Sequence, residues 1–344
     1  MPRKKEKIIP REAFLWSKEK RGLRCKVCFR KCLIKRKGQV GYCRVRENNG
    51  KKIVAKNFGK ILFADVKPVE SLPLYHFLPG SKVLAVSSIG ANLKGKIGFK
   101  DGYEEKLKDC SFYSPDDLVA KAEKQKVSSI AFLGNEESEP FLYPEFTFRA
   151  SRLALRSNIK PIYVTFGFGN EDVLKKLTKY MGAALVLLYA FGDEQFYKNF
   201  GDVKKVEEIF NTIIQLRKQR VHVEIASFVV PKVGDDLEKC SNLASWIVDK
   251  LGSEVPFHLL QFYSEEFPEL PATPIEILER CADEAKKTGL RYVYISNFPH
   301  PYNNTYCYNC LRTVIEREVG ELKKIDLVDS RCPSCGFRIN VIRE

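Results

Sequence analysis

The chain has 344 residues, room for one large α/β domain plus smaller attachments, and its 44% hydrophobic content is that of a soluble globular protein. No apolar run approaches the roughly 20 residues of a membrane span, and the basic start MPRKKEKIIPRE leads into no apolar core. Neither a secretory signal nor a membrane partner is expected, and the cytoplasm is the expected compartment. The formal net charge of +15 is concentrated at one end: residues 1–60 carry 21 Lys/Arg against 4 Asp/Glu, the rest 37 against 39.

Residues 1–80 read as a basic metal module and its connector. Cys25, Cys28 and Cys32 fall in CKVCFRKC, and Cys43 follows in GYCRVR. Four thiolates suffice for a closed structural zinc site. An iron–sulfur cluster is the alternative, since four cysteines can also hold one. Lys4 and Lys5 precede this knot, and Lys26, Arg30, Lys31, Lys35, Arg36, Lys37, Arg44 and Arg46 are interleaved with it. Such a field attracts polyanions, which makes these residues candidates for phosphate contact. The bland alternative is a lysine-rich solvated surface. The connector DVKPVESLPLYHFLPGS carries three prolines and closes the segment.

Residues 81–300 alternate strand and helix. Strand-like runs are KVLAVSSI, VSSIAFLG, KPIYVTFGF, AALVLLYAF, VHVEIASFVV, VPFHLLQFY and RYVYISN. Between them lie the helical stretches PDDLVAKAEKQK, PEFTFRASRLALRS, NEDVLKKLTKYM, DVKKVEEIFNTIIQLRKQR, DDLEKCSNLASWIVDKLG and PIEILERCADEAKKTG. Near-continuously apolar strands suit a parallel sheet covered on both faces. The repeat fits an open doubly wound sheet or a full or partial barrel, and periodicity does not choose between them. The single cysteines Cys110, Cys240 and Cys281 read as core. None of His76, His222, His258 and His300 lies in a nucleophile motif, and mid-strand His258 reads as a buried, hydrogen-bonded residue. EESEP reads as an exposed loop.

Residues 301–344 contain the most specific signal. Cys307 and Cys310, in CYNC, precede Cys332 and Cys335, in CPSC. Two Cys-x2-Cys hairpins complete a tetrahedral ion with four sulfurs and leave no open position, which is the pattern of a zinc ribbon. So short a segment has little core, so the ion supplies much of its folding energy.

The loop after the first of the strand-like runs, SIGANLKGKIGFK, contains Gly90-x4-Gly95-Lys96. A phosphate-binding loop needs Ser/Thr next and then a helix, whereas Ile97 and Gly98 follow, so that reading fails. The landmarks CKVCFRKCLIKRKGQVGYCRVRENNGK, PVESLPLYHFLPGS, VEIASFVVP, WIVDKLGSEVPFHLLQF and PATPIEILERCADEAKKTGLRYVYISN stand in this order. Together they resemble the radical SAM enzymes of the AmmeMemoRadiSam system, relatives of pyruvate formate-lyase-activating enzyme. The resemblance covers nearly the whole chain and implies an α/β fold: a partial (β/α)6 barrel of radical SAM type with an N-terminal four-cysteine metal module and a C-terminal zinc ribbon. The family binds a [4Fe–4S] cluster and S-adenosylmethionine at a Cys-x3-Cys-x2-Cys loop. The matching positions here are Ala91, Gly95 and Gly98, which offer no donor atom. By the same resemblance Phe166 stands for an Asn, Leu187 and Tyr189 for an Asp-x-Lys pair, and Gln261 for an Arg. Asn135 and Glu136 are kept.

The expectation is a non-catalytic relative that has lost radical SAM chemistry and acts by binding. It should carry two structural zincs, no [4Fe–4S] cluster in the barrel and no S-adenosylmethionine. RNA or a ribonucleoprotein such as the ribosome is the expected partner of the basic module. The alternatives are an enzyme working without the usual cluster loop and a protein–protein scaffold.

Overall fold

The computed structural model describes residues 11–93, 102–135, 137–263 and 270–343. Each of the seven strand-like runs contributes one parallel strand to a single sheet. These are β2 (Lys82–Ser87), β3 (Ser129–Leu133), β4 (Lys160–Thr165), β5 (Ala183–Tyr189), β6 (His222–Val229), β7 (Phe257–Gln261) and β8 (Val293–Ile295). An edge strand precedes them, β1 (Phe63–Pro68), antiparallel to β2 in the register Phe63↔Ser87 to Pro68↔Lys82. Its six residues overlap the stretch read as connector. Pro68, which has no N–H to donate, ends it at the sheet edge.

The strands lie side by side in chain order, β1 to β8. A doubly wound sheet reverses direction at a switch point, whereas this one never does, so it is the arc of a partial barrel. The seven parallel strands are buried along almost their whole length, all seven residues of β5 among them, whereas the edge strand β1 is exposed from Asp65 to Pro68. The helices cover the outer face. Pro115–Lys124 is opened by a capping box in which Ser114 and Asp117 satisfy each other's backbone. The helix expected from Asp202 begins only at Glu207. Asp202 instead takes a left-handed conformation (φ 52°) and ends an unforeseen helix, Glu194–Gly201. No helix among the described residues is long and apolar enough to cross a membrane.

The N-terminal segment forms two small antiparallel sheets, Trp16–Glu19 with Gly22–Cys25 and Leu33–Ile34, and Arg11–Glu12 with Ile53–Ala55 and Arg46–Asn48. The C-terminal segment is a three-stranded antiparallel sheet of Thr305–Tyr306, Thr313–Glu318 and Glu321–Ile325. Its Arg317 is buried and donates to Thr305 Oγ1 at 2.8 Å and to the Tyr75 carbonyl at 2.8 Å, so this sheet is tied to the connector by polar contacts.

Candidate functional site

At the C-terminal cluster the two hairpins repeat one backbone pattern. Leu311 N–H donates to the Cys307 carbonyl at 2.9 Å, and Gly336 N–H to that of Cys332 at 2.8 Å. This curls each hairpin so that both of its thiols face the other. All four sulfurs lie within 4.8 Å of one another, with contacts of 3.5 Å (Cys307–Cys335) and 3.6 Å (Cys310–Cys332). Hydrogen bonds from Asn309 and the Phe337 backbone hold Cys335 down to about 6. Four soft sulfur donors at this spacing can hold a metal ion with no coordination position left for a substrate.

The N-terminal cysteines occupy a different setting. Their module is seated on the loops at the C-terminal ends of the barrel strands. Cys28 bridges to Gly169, and Asn170 donates from its backbone to the Val27 carbonyl (3.0 Å) and from its side chain to that of Lys26 (3.0 Å). Gly90, at φ 115°, lies so close to the module that a Cβ there would sit 2.7 Å from Val45. Arg30 reaches the Asn92 carbonyl (2.9 Å) and the Asp202 carbonyl (2.8 Å). Cys25, Cys28, Cys32 and Cys43 line one small cavity together with Arg30, Tyr42, Arg46, Asn92 and Leu142. Burial pushes the Cys25 and Cys28 thiols up, and that of Cys43 to about 12.

Beneath the module lies the barrel mouth. Ala91 is buried in the loop after β2; Gly95 and Gly98, with Lys94, Lys96 and Lys100, lie outside the described residues. The mouth is a cavity of about 340 Å³ lined by Gly134, Asn135, Glu137, Phe166, Leu187, Tyr189 and Phe228. Its floor is aromatic. Tyr189 stacks on Phe166 (5.9 Å) and on Phe228 (5.0 Å). Its polar groups are engaged within the chain: the Asn135 side chain accepts from Glu137 N (3.0 Å) and Ser138 N (2.9 Å), and Glu137 pairs with Lys106. Gln261 donates to the Thr273 carbonyl at 2.9 Å. Ala91, the one of the three matching positions among the described residues, has no donor atom and cannot bind an iron.

EESEP is not simply an exposed loop. Glu136 lies outside the described residues and Glu137 is half-buried, but Glu139 is completely buried. It accepts from Thr165 Oγ1 (2.7 Å), Phe166 N (3.0 Å) and Phe141 N (3.2 Å). Burial outweighs these hydrogen bonds and raises its carboxyl to about 7. A raised carboxyl holds its proton longer in the folded than in the unfolded chain. It therefore adds stability that is fully present below pH 4.5 and is lost as the pH rises through about 7, roughly 3 kcal/mol in all. Denaturant titrations at a series of pH values should show that decline, and Glu139→Gln should flatten it.

The basic candidates divide by burial. Lys31, Lys35, Arg36 and Lys37 are exposed, and Lys26 and Arg44 are half-buried. Arg46, expected at a phosphate, is instead fully buried and pairs with Glu145 at 2.7 Å, its side chain 1% exposed. It cannot reach a partner, because leaving that carboxylate alone in the interior would cost more than the contact returns. Arg30 is likewise committed inward: it stacks 3.4 Å over Tyr42 and pairs with Asp202 at 3.5 Å. Lys4 and Lys5 lie outside the described residues. Alternation along Val45-Arg46-Glu47-Asn48 carries no sign that the arginine points inward, and nothing marks Asn92 as a lining residue of the cysteine cavity.

No family model matches the chain. An uncharacterized protein of Methanocaldococcus jannaschii is 29% identical over 340 residues, covering 96% of this chain and 99% of that protein. Among solved structures, a domain of pyruvate-formate lyase-activating enzyme from Bacteroides vulgatus matches 49% of this chain and 99% of its own, at 18% identity and a TM-score of 0.43. A radical SAM methyltransferase from Sphaerobacter thermophilus matches 70% of each chain at 14% identity and a TM-score of 0.45. The chain is similar in fold to these two solved structures.

Proposed function

We propose that this protein acts by binding, without radical SAM chemistry, and that its basic N-terminal module docks on RNA, in a ribonucleoprotein such as the ribosome. The observation that carries this reading is the exposed run Lys31, Lys35, Arg36 and Lys37 on a module hydrogen-bonded to the barrel loops. Cations fixed on a rigid platform lose less entropy when they meet phosphates. The stacked aromatic floor of the mouth supports the other half: where a cofactor's polar groups would need partners, Phe166, Leu187 and Tyr189 offer apolar surface. A buried polar group without its ligand costs about 1–3 kcal/mol, so apolar replacements are favoured once the ligand is gone. The C-terminal four-cysteine group is the structural zinc site in this reading.

Binding of the intact chain to structured RNA, followed by fluorescence anisotropy against salt, tests it. Affinity should fall steeply as salt rises. The triple reversal Lys35→Glu, Arg36→Glu, Lys37→Glu should weaken binding by about tenfold or more at low salt and flatten the log–log salt slope by about 2–3. Absence of binding at low salt, or a slope unchanged by the triple reversal, would remove the RNA reading.

A further inference from the structure

The N-terminal cavity differs from the C-terminal site in the way its sulfurs are spaced. A single tetrahedral ion bonded at about 2.3 Å draws four sulfurs to roughly 3.8 Å from one another. The C-terminal set meets that condition. Among the described residues, the set whose sulfurs all lie within 4.8 Å is Cys307, Cys310, Cys332 and Cys335, and the sulfur–sulfur contacts of 3.5 and 3.6 Å are theirs. Cys25, Cys28, Cys32 and Cys43 stand around a void instead, with about 10 Å³ open to the centre of a water-sized body. A zinc ion tetrahedrally bound by four sulfurs leaves no such void.

Two further side chains point the same way. Asn92 is 1% exposed and lines this cavity, and neither atom of its amide has a partner. Arg46 lines it too, and its Nε is buried and unpartnered although its two outer nitrogens are bonded to Glu145 and the Leu142 carbonyl. Buried polar groups left unpaired beside a cavity mark a missing ligand that carries acceptors. A zinc ion saturated by four thiolates adds no acceptor of its own. An iron–sulfur cube does, through its bridging sulfides, and N–H donors to such sulfides are a usual part of a cluster's surroundings.

We infer that Cys25, Cys28, Cys32 and Cys43 each bind one iron of a [4Fe–4S] cluster, and that Asn92 Nδ2 and Arg46 Nε donate to its sulfides. A cube keeps its four cysteine sulfurs apart, one at each iron corner, which the open arrangement permits and a single ion does not. With every iron already bound to a thiolate there is no open corner for a substrate, so the inference stands independently of the RNA reading. Because Asn92 belongs to the loop after β2 and the cysteines to the module, the cluster would also clasp the module to the barrel mouth.

Iron, acid-labile sulfide and zinc measured on anaerobically purified full-length protein provide the test. The expected result is about four irons and four sulfides with one zinc, and a broad visible absorption that dithionite bleaches. Cys28→Ser with Cys43→Ser should lose the iron and keep the zinc, whereas Cys310→Ser should lose the zinc and keep the iron. Asn92→Ala should retain iron but lower the reduction potential, because a donor to the sulfides is gone. About two zincs and no iron in the unaltered chain would overturn the inference, whatever the folding of the variants. So would two irons per chain, or iron retained in the double serine variant.

Discussion

Glu224→Ala should be the most damaging single substitution in the chain. Glu224 is completely buried on β6 and accepts four hydrogen bonds: His222 Nε2 at 2.9 Å, His258 Nε2 at 2.8 Å, Tyr75 N at 2.9 Å and His76 N at 2.8 Å. Burial alone would raise its carboxyl, but hydrogen bonds from His222 and His258 hold it well below the usual carboxylate range. The surrounding network has one consistent direction. His76 Nδ1 lies 2.7 Å from the Asn340 carbonyl and must donate, so its Nε2 accepts from Tyr294 OH at 2.6 Å. Tyr294 in turn accepts from Thr305 Oγ1 at 2.9 Å, and Thr305 from Arg317 at 2.8 Å. His258 Nδ1 accepts from Ser296 Oγ at 2.6 Å. Connector, barrel and C-terminal sheet meet in this one cluster.

Alanine at 224 would strand four buried donors at once. At about 1–3 kcal/mol for each unsatisfied group, a loss of at least about 4 kcal/mol is expected in urea unfolding, a large part of a domain's whole stability. Acid should act on the same cluster. Burial lowers His76 to about 3, so it stays neutral in the folded chain while its unfolded counterpart takes up a proton below pH 6.5. That contribution is present at neutral pH and is lost as the pH falls from 6.5 towards 3; the depressed Glu224 carboxyl adds to the loss at the acid end. His76→Asn should make the decline between those pH values shallower.

Glu145→Ala should be the second most damaging change. Glu145 Oε1 accepts from Arg46 at 2.7 Å and from Phe14 N at 2.5 Å, and both side chains of the ion pair are 1% exposed. Removing the carboxylate leaves the guanidinium charged and buried, an expected loss of about 3–5 kcal/mol. Arg46→Met with Glu145→Leu removes both charges and should recover part of that loss. A double-mutant cycle in chemical denaturation measures the coupling between the two residues. Because Arg46 belongs to the N-terminal module and Glu145 opens the helix Pro144–Arg156, protease cleavage should reveal the module coming loose before the barrel unfolds.

The legible parts of the sequence were those written in local patterns. Apolar runs between capped helices were enough to locate seven strands, because burial on both faces imposes a continuous apolar sequence. CYNC and CPSC were enough to identify four sulfurs that converge, because each short hairpin positions its own two thiols. The same reasoning was insufficient for CKVCFRKC and GYCRVR, where Cys43 comes from a separate turn and the spacing of the sulfurs depends on how the turns stack. EESEP failed for a similar reason. Glutamates in sequence read as solvated, but Glu139 is turned inward by donors on β4 and its following loop, 26 and 27 residues away.

By itself the sequence determined the βα alternation, the two cysteine sets and the location of the basic charge. Tertiary structure alone decided that the strands run in barrel order, that the cysteine module sits over the barrel mouth, that Arg30 and Arg46 face inward, and that Asn92 meets the cysteines. The physical reason is range. Periodicity and capping act over a few residues, whereas a buried charge or amide is satisfied by whatever partner folding brings to it: Arg46 by a carboxylate 99 residues on and Glu224 by backbone donors 148 and 149 residues before it.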